Sequence, residues 1–242
     1  MHCPECVKLD RAESPRPERR VISNPFRNSG NRPVVTYAII GVNAFIYLLE
    51  LIPGSPVTSV LAYDLRDTIS RPWEMLTYAF VHLSVLHIAL NMFSVYIFGP
   101  VIEQLVGRAR YLALYLLAAF GGAVGFLAIA FLAPSLLTSL SVAGASGAIF
   151  GLMGAYFVIA RRLGGSSAQI LVVIVLNLAL GFIPGTSIAW QAHVGGLIVG
   201  GAVALVYTRT RRRQQRTVQV AALVGIGAAL IVIVALLAVA LF

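Results

Sequence analysis

Gly144-Ala145-Ser146-Gly147-Ala148-Ile149-Phe150-Gly151, read together with Ala192-His193-Val194-Gly195-Gly196, decides the fold of this chain. Each stretch lies inside a long apolar run of the kind that spans a lipid bilayer. A polar or ionisable side chain inside a membrane is expensive, so each marks a candidate functional position. Glycines flank both residues, and small residues let membrane helices approach backbone to backbone.

Working outward, the 242 residues are 59% hydrophobic, above the range of ordinary soluble domains. Seven apolar runs stand out: 34–52, 85–102, 111–132, 142–160, 170–183, 188–207 and 218–242. They predict an all-α, polytopic membrane helix bundle. The expected organisation is a polar, loosely packed or disordered tail over 1–33, a core over 34–207, a basic loop over 208–217 and a seventh transmembrane helix over 218–242. The opening segment is Pro/Arg-rich and carries no cleavable signal peptide.

The net charge of +9 raises the possibility of nucleic-acid binding, but its distribution argues against that. With the N-terminus placed in the cytoplasm, 16 of the 18 Lys and Arg residues fall in cytoplasmic segments, and only Arg66 and Arg71 fall outside. This is the positive-inside pattern of short membrane loops. The expectation is a multi-pass protein of the bacterial inner membrane with no nucleic-acid partner. Cys3 and Cys6 form Cys-Pro-Glu-Cys, with His2 beside them. A structural zinc site needs four ligands, so this is at most half a site, and the plainer reading is two reduced cytosolic thiols.

In that topology the second, fourth and sixth runs all descend from the outer face. His87 and Asn91 fall near the start of the second, Ser146 near the start of the fourth and His193 near the start of the sixth. All four therefore lie about one to two turns below the outer face. Trp73 and Trp190 precede them where an aromatic belt is expected. His87 and Asn91 share one helical face, as do Ser146 and Phe150. Gly147-x-x-x-Gly151 and Ala192-x-x-x-Gly196-x-x-x-Gly200 form two close-packing stripes. If they face each other, Ser146 and His193 come within hydrogen-bond reach. Taken singly, each residue has a plainer role. A membrane serine commonly bonds its own helix, and a membrane histidine or asparagine commonly joins helices. His82, at the loop edge and off the face of His87, reads as structural. Four such residues at one depth favour a site.

Elimination narrows the chemistry. The acids nearest the runs, Glu50 and Glu103, lie toward opposite membrane faces, so a paired-carboxylate site is excluded. His-Glu-x-x-His is absent, and the single lysine, Lys8, is in the tail. A Ser-His-Asp triad needs an orienting acid, and none lies at the correct depth unless Asp64, Asp67 or Glu74 of the outer loop supplies it; what remains is a Ser–His dyad. His193 would take the Ser146 proton as the hydroxyl attacks a peptide carbonyl, then protonate the leaving amine. The Ser146 backbone N–H, Asn91 and His87 would stabilise the oxyanion. Phe150 would pack on the His193 ring and orient it. Water requires an outward-open polar cavity. Because His193 must be neutral, with an unperturbed pKa of about 6.5, activity is expected to fall on the acid side. No metal and no cofactor is called for.

His87-x-x-x-Asn91, Gly144-x-Ser146-Gly147 and Ala192-His193-x-x-Gly196, in this order and spacing, resemble the rhomboid intramembrane serine proteases over roughly residues 36–207. The resemblance implies a six-helix core with Ser146 as nucleophile, His193 as base, and His87 and Asn91 near the oxyanion. It implies a serine-type endopeptidase whose partners are transmembrane protein substrates and the lipid bilayer. It also implies a gating fifth helix with the loop about 181–190, a partly embedded first outer loop, and a structural, non-catalytic Glu103. The family often carries Trp-Arg in that loop, whereas here Trp73 is followed by Glu74. Two other classes compete: a non-proteolytic relative that holds client helices, and a transporter. The first would lack the catalytic pair. The second would place its polar residues at the midplane.

Overall fold

The computed structural model describes residues 32–137, 139–165, 167–183 and 188–241. The expected tail, with Cys3 and Cys6, lies outside the described residues except for Arg32 and Pro33. Seven helices follow in order: α1 (Val34–Glu50), α2 (Val85–Val106), α3 (Arg108–Leu132), α4 (Ser146–Arg162), α5 (Ala168–Leu180), α6 (Trp190–Arg209) and α7 (Arg216–Leu241). The connection between α1 and α2 carries the short helical turns Val57–Leu61 and Glu74–Thr77. It also carries β1 (Tyr63–Asp64), which pairs antiparallel with β2 (Ser141–Val142), Tyr63 opposite Val142. The molecule is an all-α bundle.

By length and composition, α2, α3, α6 and the stretch Arg213–Ala240 can each cross a membrane, while α1 and α5 are shorter apolar helices. Exposed apolar side chains cover the outer faces of α1, α2, α5 and α7, among them Phe45, Phe93, Leu176 and Leu236. These are the faces that a bilayer would solvate.

The boundaries shift by up to four residues from the sequence expectation, most at two places. Residues 103–110 do not form a loop. α2 runs on to Val106 and α3 begins at Arg108, with only Gly107 between them. Gly107 makes the reversal at φ +90°, a conformation that L side chains rarely adopt. Glu103 is therefore a buried helical residue. Its carboxylate accepts from the Val35 and Thr36 backbone N–H groups and from the Thr36 hydroxyl, at 3.0, 2.8 and 2.7 Å. It caps α1, whose first N–H groups have no intrahelical partner. The fourth helix starts at Ser146 rather than at residue 142, because the residues before it are spent on β2 and a turn.

The centre of the bundle is glycine-mediated. α4 packs most extensively on α6, and α3 packs against both. A Cβ on Gly196 would overlap the Gly147 carbonyl, and one on Gly200 would overlap the Gly151 carbonyl. The two small-residue stripes therefore do face each other. α3 supplies a third set, Gly121, Gly122 and Gly125, against Gly195, Ala192 and Gly147. α7 lies outside, against α3 and α6. Its first turns are tied in by Gln219, which accepts from Arg110 Nε at 2.7 Å and donates to the Thr210 hydroxyl at 2.7 Å.

Candidate active site

Ser146 is the first residue of α4, and His193 lies in the first turn of α6. The glycine contacts that bring these helices together start at Gly147 and Gly196, one residue after Ser146 and three after His193. Ser146 Oγ and His193 Nε2 are 2.8 Å apart, a full hydrogen bond. Phe150, one turn along α4, stacks on the His193 imidazole with ring centroids 4.2 Å apart and planes 11° from parallel. His193 Nδ1 is buried without a hydrogen-bond partner among the described residues. The ring is held by Nε2 on Ser146 and by the Phe150 face, not by a carboxylate on Nδ1.

The approach to Ser146 is bent sharply. Gly144 sits at φ +120°, and its N–H donates to the Tyr78 carbonyl at 2.9 Å. A side chain there has no room: a Cβ would lie 2.5 Å from His87 Nε2 and 3.6 Å from Asn91 Nδ2. His87 and Asn91, one turn apart on α2, thus flank the backbone two residues before Ser146. Asn91 is buried and His87 half-buried. Ser84 caps α2, its hydroxyl accepting from the His87 N–H at 3.2 Å. The structure brings the five residues singled out from sequence to one region: His193 touches both Ser146 and Phe150, and His87 and Asn91 lie against the Gly144 turn.

Two further residues, Tyr78 and His82, contact the residues around Ser146, and a third, Asp64, fastens the loop beside them. Tyr78 accepts the Gly144 N–H, and its hydroxyl donates to the Ala119 carbonyl of α3 at 2.8 Å beneath Gly147. His82 is buried with its ring edge-on to His87, centroids 5.0 Å apart. Asp64 ties the first outer loop to β2, accepting from the Ser141 hydroxyl at 2.8 Å and pairing with Arg66 at 2.7 Å. The Arg66 hydrogen bond, followed by that from Ser141, holds the Asp64 carboxyl well below the usual carboxylate range. The Asp-Ser-Arg link bridges residues far apart in sequence, and no local pattern announces it.

The first outer loop is anchored differently from the Trp-Arg pattern. Arg71, two residues before Trp73, donates to the Ser59 carbonyl at 3.0 Å and meets the buried Glu74 at 3.4 Å. Trp73 Nε1 donates to the Val60 carbonyl at 3.1 Å. The acid after the tryptophan thus receives a guanidinium from just upstream. A cavity of about 420 Å³ opens in this loop, and its lining includes Asp64, Glu74, Leu83, Val142 and Ala143. It reaches the turn before the serine, but Ser146 and His193 do not line it.

Residues 70–210, more than half of the chain, match the Rhomboid domain family model, and Ser146, His193, Phe150, His87, Asn91, Tyr78 and His82 all lie inside that range. The chain belongs to the rhomboid family. It is 31% identical over 194 residues to Rhomboid protease GluP of Bacillus subtilis (strain 168), covering 76% of this chain and 36% of GluP. It is 28% identical over 190 residues to Putative rhomboid protease YdcA of the same organism, covering 75% of this chain and 92% of YdcA. It is 34% identical over 165 residues to RHOMBOID-like protein 6, mitochondrial, of Arabidopsis thaliana, covering 63% and 50%. The chain thus spans about a third of GluP's length and half of the Arabidopsis protein's.

Proposed function

We propose that this protein is an intramembrane serine endopeptidase that hydrolyses peptide bonds in or near transmembrane segments of other membrane proteins. The observation that carries this is the 2.8 Å bond between Ser146 Oγ and His193 Nε2 inside an apolar helix bundle. Nε2 takes the Oγ proton as Oγ attacks the scissile carbonyl. The tetrahedral intermediate collapses as His193 returns that proton to the leaving amine. Water, deprotonated by the same nitrogen, then cleaves the acyl ester and regenerates Ser146. The Ser146 N–H lies at a helix N-terminus, where such groups have no intrahelical partner. With the Asn91 amide and His87 it would receive the oxyanion. Phe150 supplies the ring orientation that an acid supplies in a Ser-His-Asp triad.

The same reading sets the orientation in the membrane. Arg108 and Arg110, Arg161 and Arg162, and Arg209 to Arg216 lie where α3 and α7 begin and α4 and α6 end, opposite the Ser146 end of α4. The positive-inside rule then puts the N-terminus in the cytoplasm and the Ser–His pair toward the outer face. The proposed setting is a bacterial plasma membrane, with the core over 34–207 and α7 as an addition to it.

The test is cleavage of a single-span membrane substrate by purified protein in detergent, comparing wild type with Ser146→Ala and His193→Ala. Wild type is expected to cut, and both variants are expected to be inactive while keeping the wild-type melting temperature. Cleavage by a folded Ser146→Ala protein would overturn the assignment.

A further inference from the structure

We infer that His82 is a positioning residue for His87: its buried ring holds the His87 imidazole against the Gly144 turn that leads to Ser146. This rests on the proteolytic reading of the site and adds to it a residue that does not touch the reacting atoms.

His87 needs an external constraint. The torsion that aims an imidazole is broad and roughly two-fold, so neighbours rather than intrinsic preference fix the ring plane. On one side the ring meets Gly144, where even a Cβ would come within 2.5 Å of Nε2. On the other side stands His82, with ring centroids 5.0 Å apart and planes at 63°, an edge-to-face pair. Between these two contacts the half-buried ring has one place to sit. Without His82 it can turn away from Gly144, and the oxyanion loses a donor at the required position.

His82 is itself fixed. It is 2% exposed, and its backbone N–H donates to Glu50 at 3.0 Å. The second oxygen of Glu50 accepts from the Thr58 hydroxyl at 2.9 Å, which ties the end of α1 to the first outer loop. The His82 ring nitrogens have no side-chain hydrogen-bond partner among the described residues. Its contribution to His87 is therefore made through the ring as a packed plane. His82 stands before the Ser84 cap and His87 after it, so the two are not on one helical face. The turn between them brings the rings together, and helical spacing gives no hint of the contact.

The experiment measures kcat and KM on a membrane substrate for wild type, His82→Ala, His82→Phe, His87→Ala and the His82→Ala/His87→Ala double variant. Each is checked by melting temperature and by Ser146 labelling with a phosphonate probe. His82→Ala is expected to lower kcat about tenfold with KM unchanged, a fraction of the ~10²–10³ that a lost oxyanion donor costs. His82→Phe, which keeps a buried ring, is expected to restore kcat to within about threefold of wild type. In the His87→Ala background the second substitution is expected to cost nothing more, because the group that it positions is gone. Wild-type kcat in His82→Ala, a folded His82→Phe as slow as His82→Ala, or fully additive losses in the double variant would each overturn the role. If His82→Ala does not fold, His82→Leu, which fills the site without a ring, takes its place alone and in the His87→Ala background, with the same tenfold loss expected against wild type and none expected against His87→Ala. Failure of wild type both to cut and to label at Ser146 would remove the proteolytic reading and this role with it. Normal wild-type cleavage with indifferent His82 variants would remove the positioning role alone.

Discussion

Gly196→Ala should separate Ser146 from His193 without touching either residue. A Cβ on Gly196 would overlap the Gly147 carbonyl oxygen and lie 2.7 Å from the Gly147 carbonyl carbon and 3.2 Å from its Cα. All three atoms are backbone, so no side chain can swing aside. Non-bonded carbons settle at about 3.5–4.0 Å, so α4 and α6 must part by about 1 Å. Ser146 adjoins Gly147, and His193 is one turn before Gly196, so the parting falls on the 2.8 Å Ser146–His193 bond. Stretched to about 3.8 Å, that contact is no longer a hydrogen bond. A misplacement of about 1 Å costs on the order of 10² in rate, and overpacking of this kind costs about 1–3 kcal/mol of stability. Gly201→Ala is the internal control. It lies on the same helix and gains the same propensity, but its Cβ would meet only Val158 Cγ2, at 3.9 Å. Turnover of a membrane substrate in detergent, with melting curves for all three proteins, is the assay. Gly201→Ala should match wild type, and Gly196→Ala should lose at least tenfold in kcat. Wild-type turnover by Gly196→Ala would refute the claim that glycine contact sets the distance between the pair.

Other consequences can be measured in parallel. Glu103→Ala strips three hydrogen bonds from the start of α1 and leaves the buried Thr36 N–H and the half-buried Val35 N–H unpaired, which should cost about 2–3 kcal/mol in a denaturation experiment. A change below about 0.5 kcal/mol would contradict the capping role. Phe150→Ala removes the stacked face of His193 and should lower kcat by about tenfold at near-normal KM, through loss of orientation. Undiminished kcat would assign the orientation elsewhere. Asp64→Asn should weaken the link between the outer loop and β2. Because the folded-state carboxyl lies below its unfolded value, its stabilisation is full above about pH 4 and is lost as pH falls through the folded pKa. Arg66 is largely exposed, so solvent screening should keep the difference at pH 7 small. It should shrink in melts taken below pH 4, and a pH-independent difference would contradict the assignment.

Much of this site was legible in the sequence because membrane chemistry makes polar residues conspicuous. Ser146, His193, His87 and Asn91 stand out against apolar surroundings, and the i, i+4 spacing of small residues gave the stripes that face each other across α4 and α6. Phe150 was legible for the same reason, being one turn from the serine. What escaped was set by turns and by long-range pairing. Gly107 ends one helix and starts the next within one residue, which hydropathy reads as a basic loop because Arg108 and Arg110 belong to a helix end. Hydropathy starts α4 at residue 142 because Val142 and Ala143 are apolar, yet Val142 belongs to a strand paired with Tyr63, 79 positions away, and Ala143 to the turn that follows. His82 and Tyr78 work through a ring face and a carbonyl, for which no spacing rule exists. Glu74 departs from Trp-Arg in sequence, and its carboxylate meets Arg71, two residues before Trp73, a pairing that the dipeptide pattern does not show.

The central claim is that Ser146 is a nucleophile activated by His193. Its most direct test is the rate of Ser146 modification by a serine-directed phosphonate, followed by mass spectrometry on intact protein and its peptides. The account predicts one adduct, on Ser146, absent in Ser146→Ala and slowed at least a hundredfold in a folded His193→Ala protein. Labelling at another serine, or at Ser146 with a rate indifferent to His193→Ala, would contradict it.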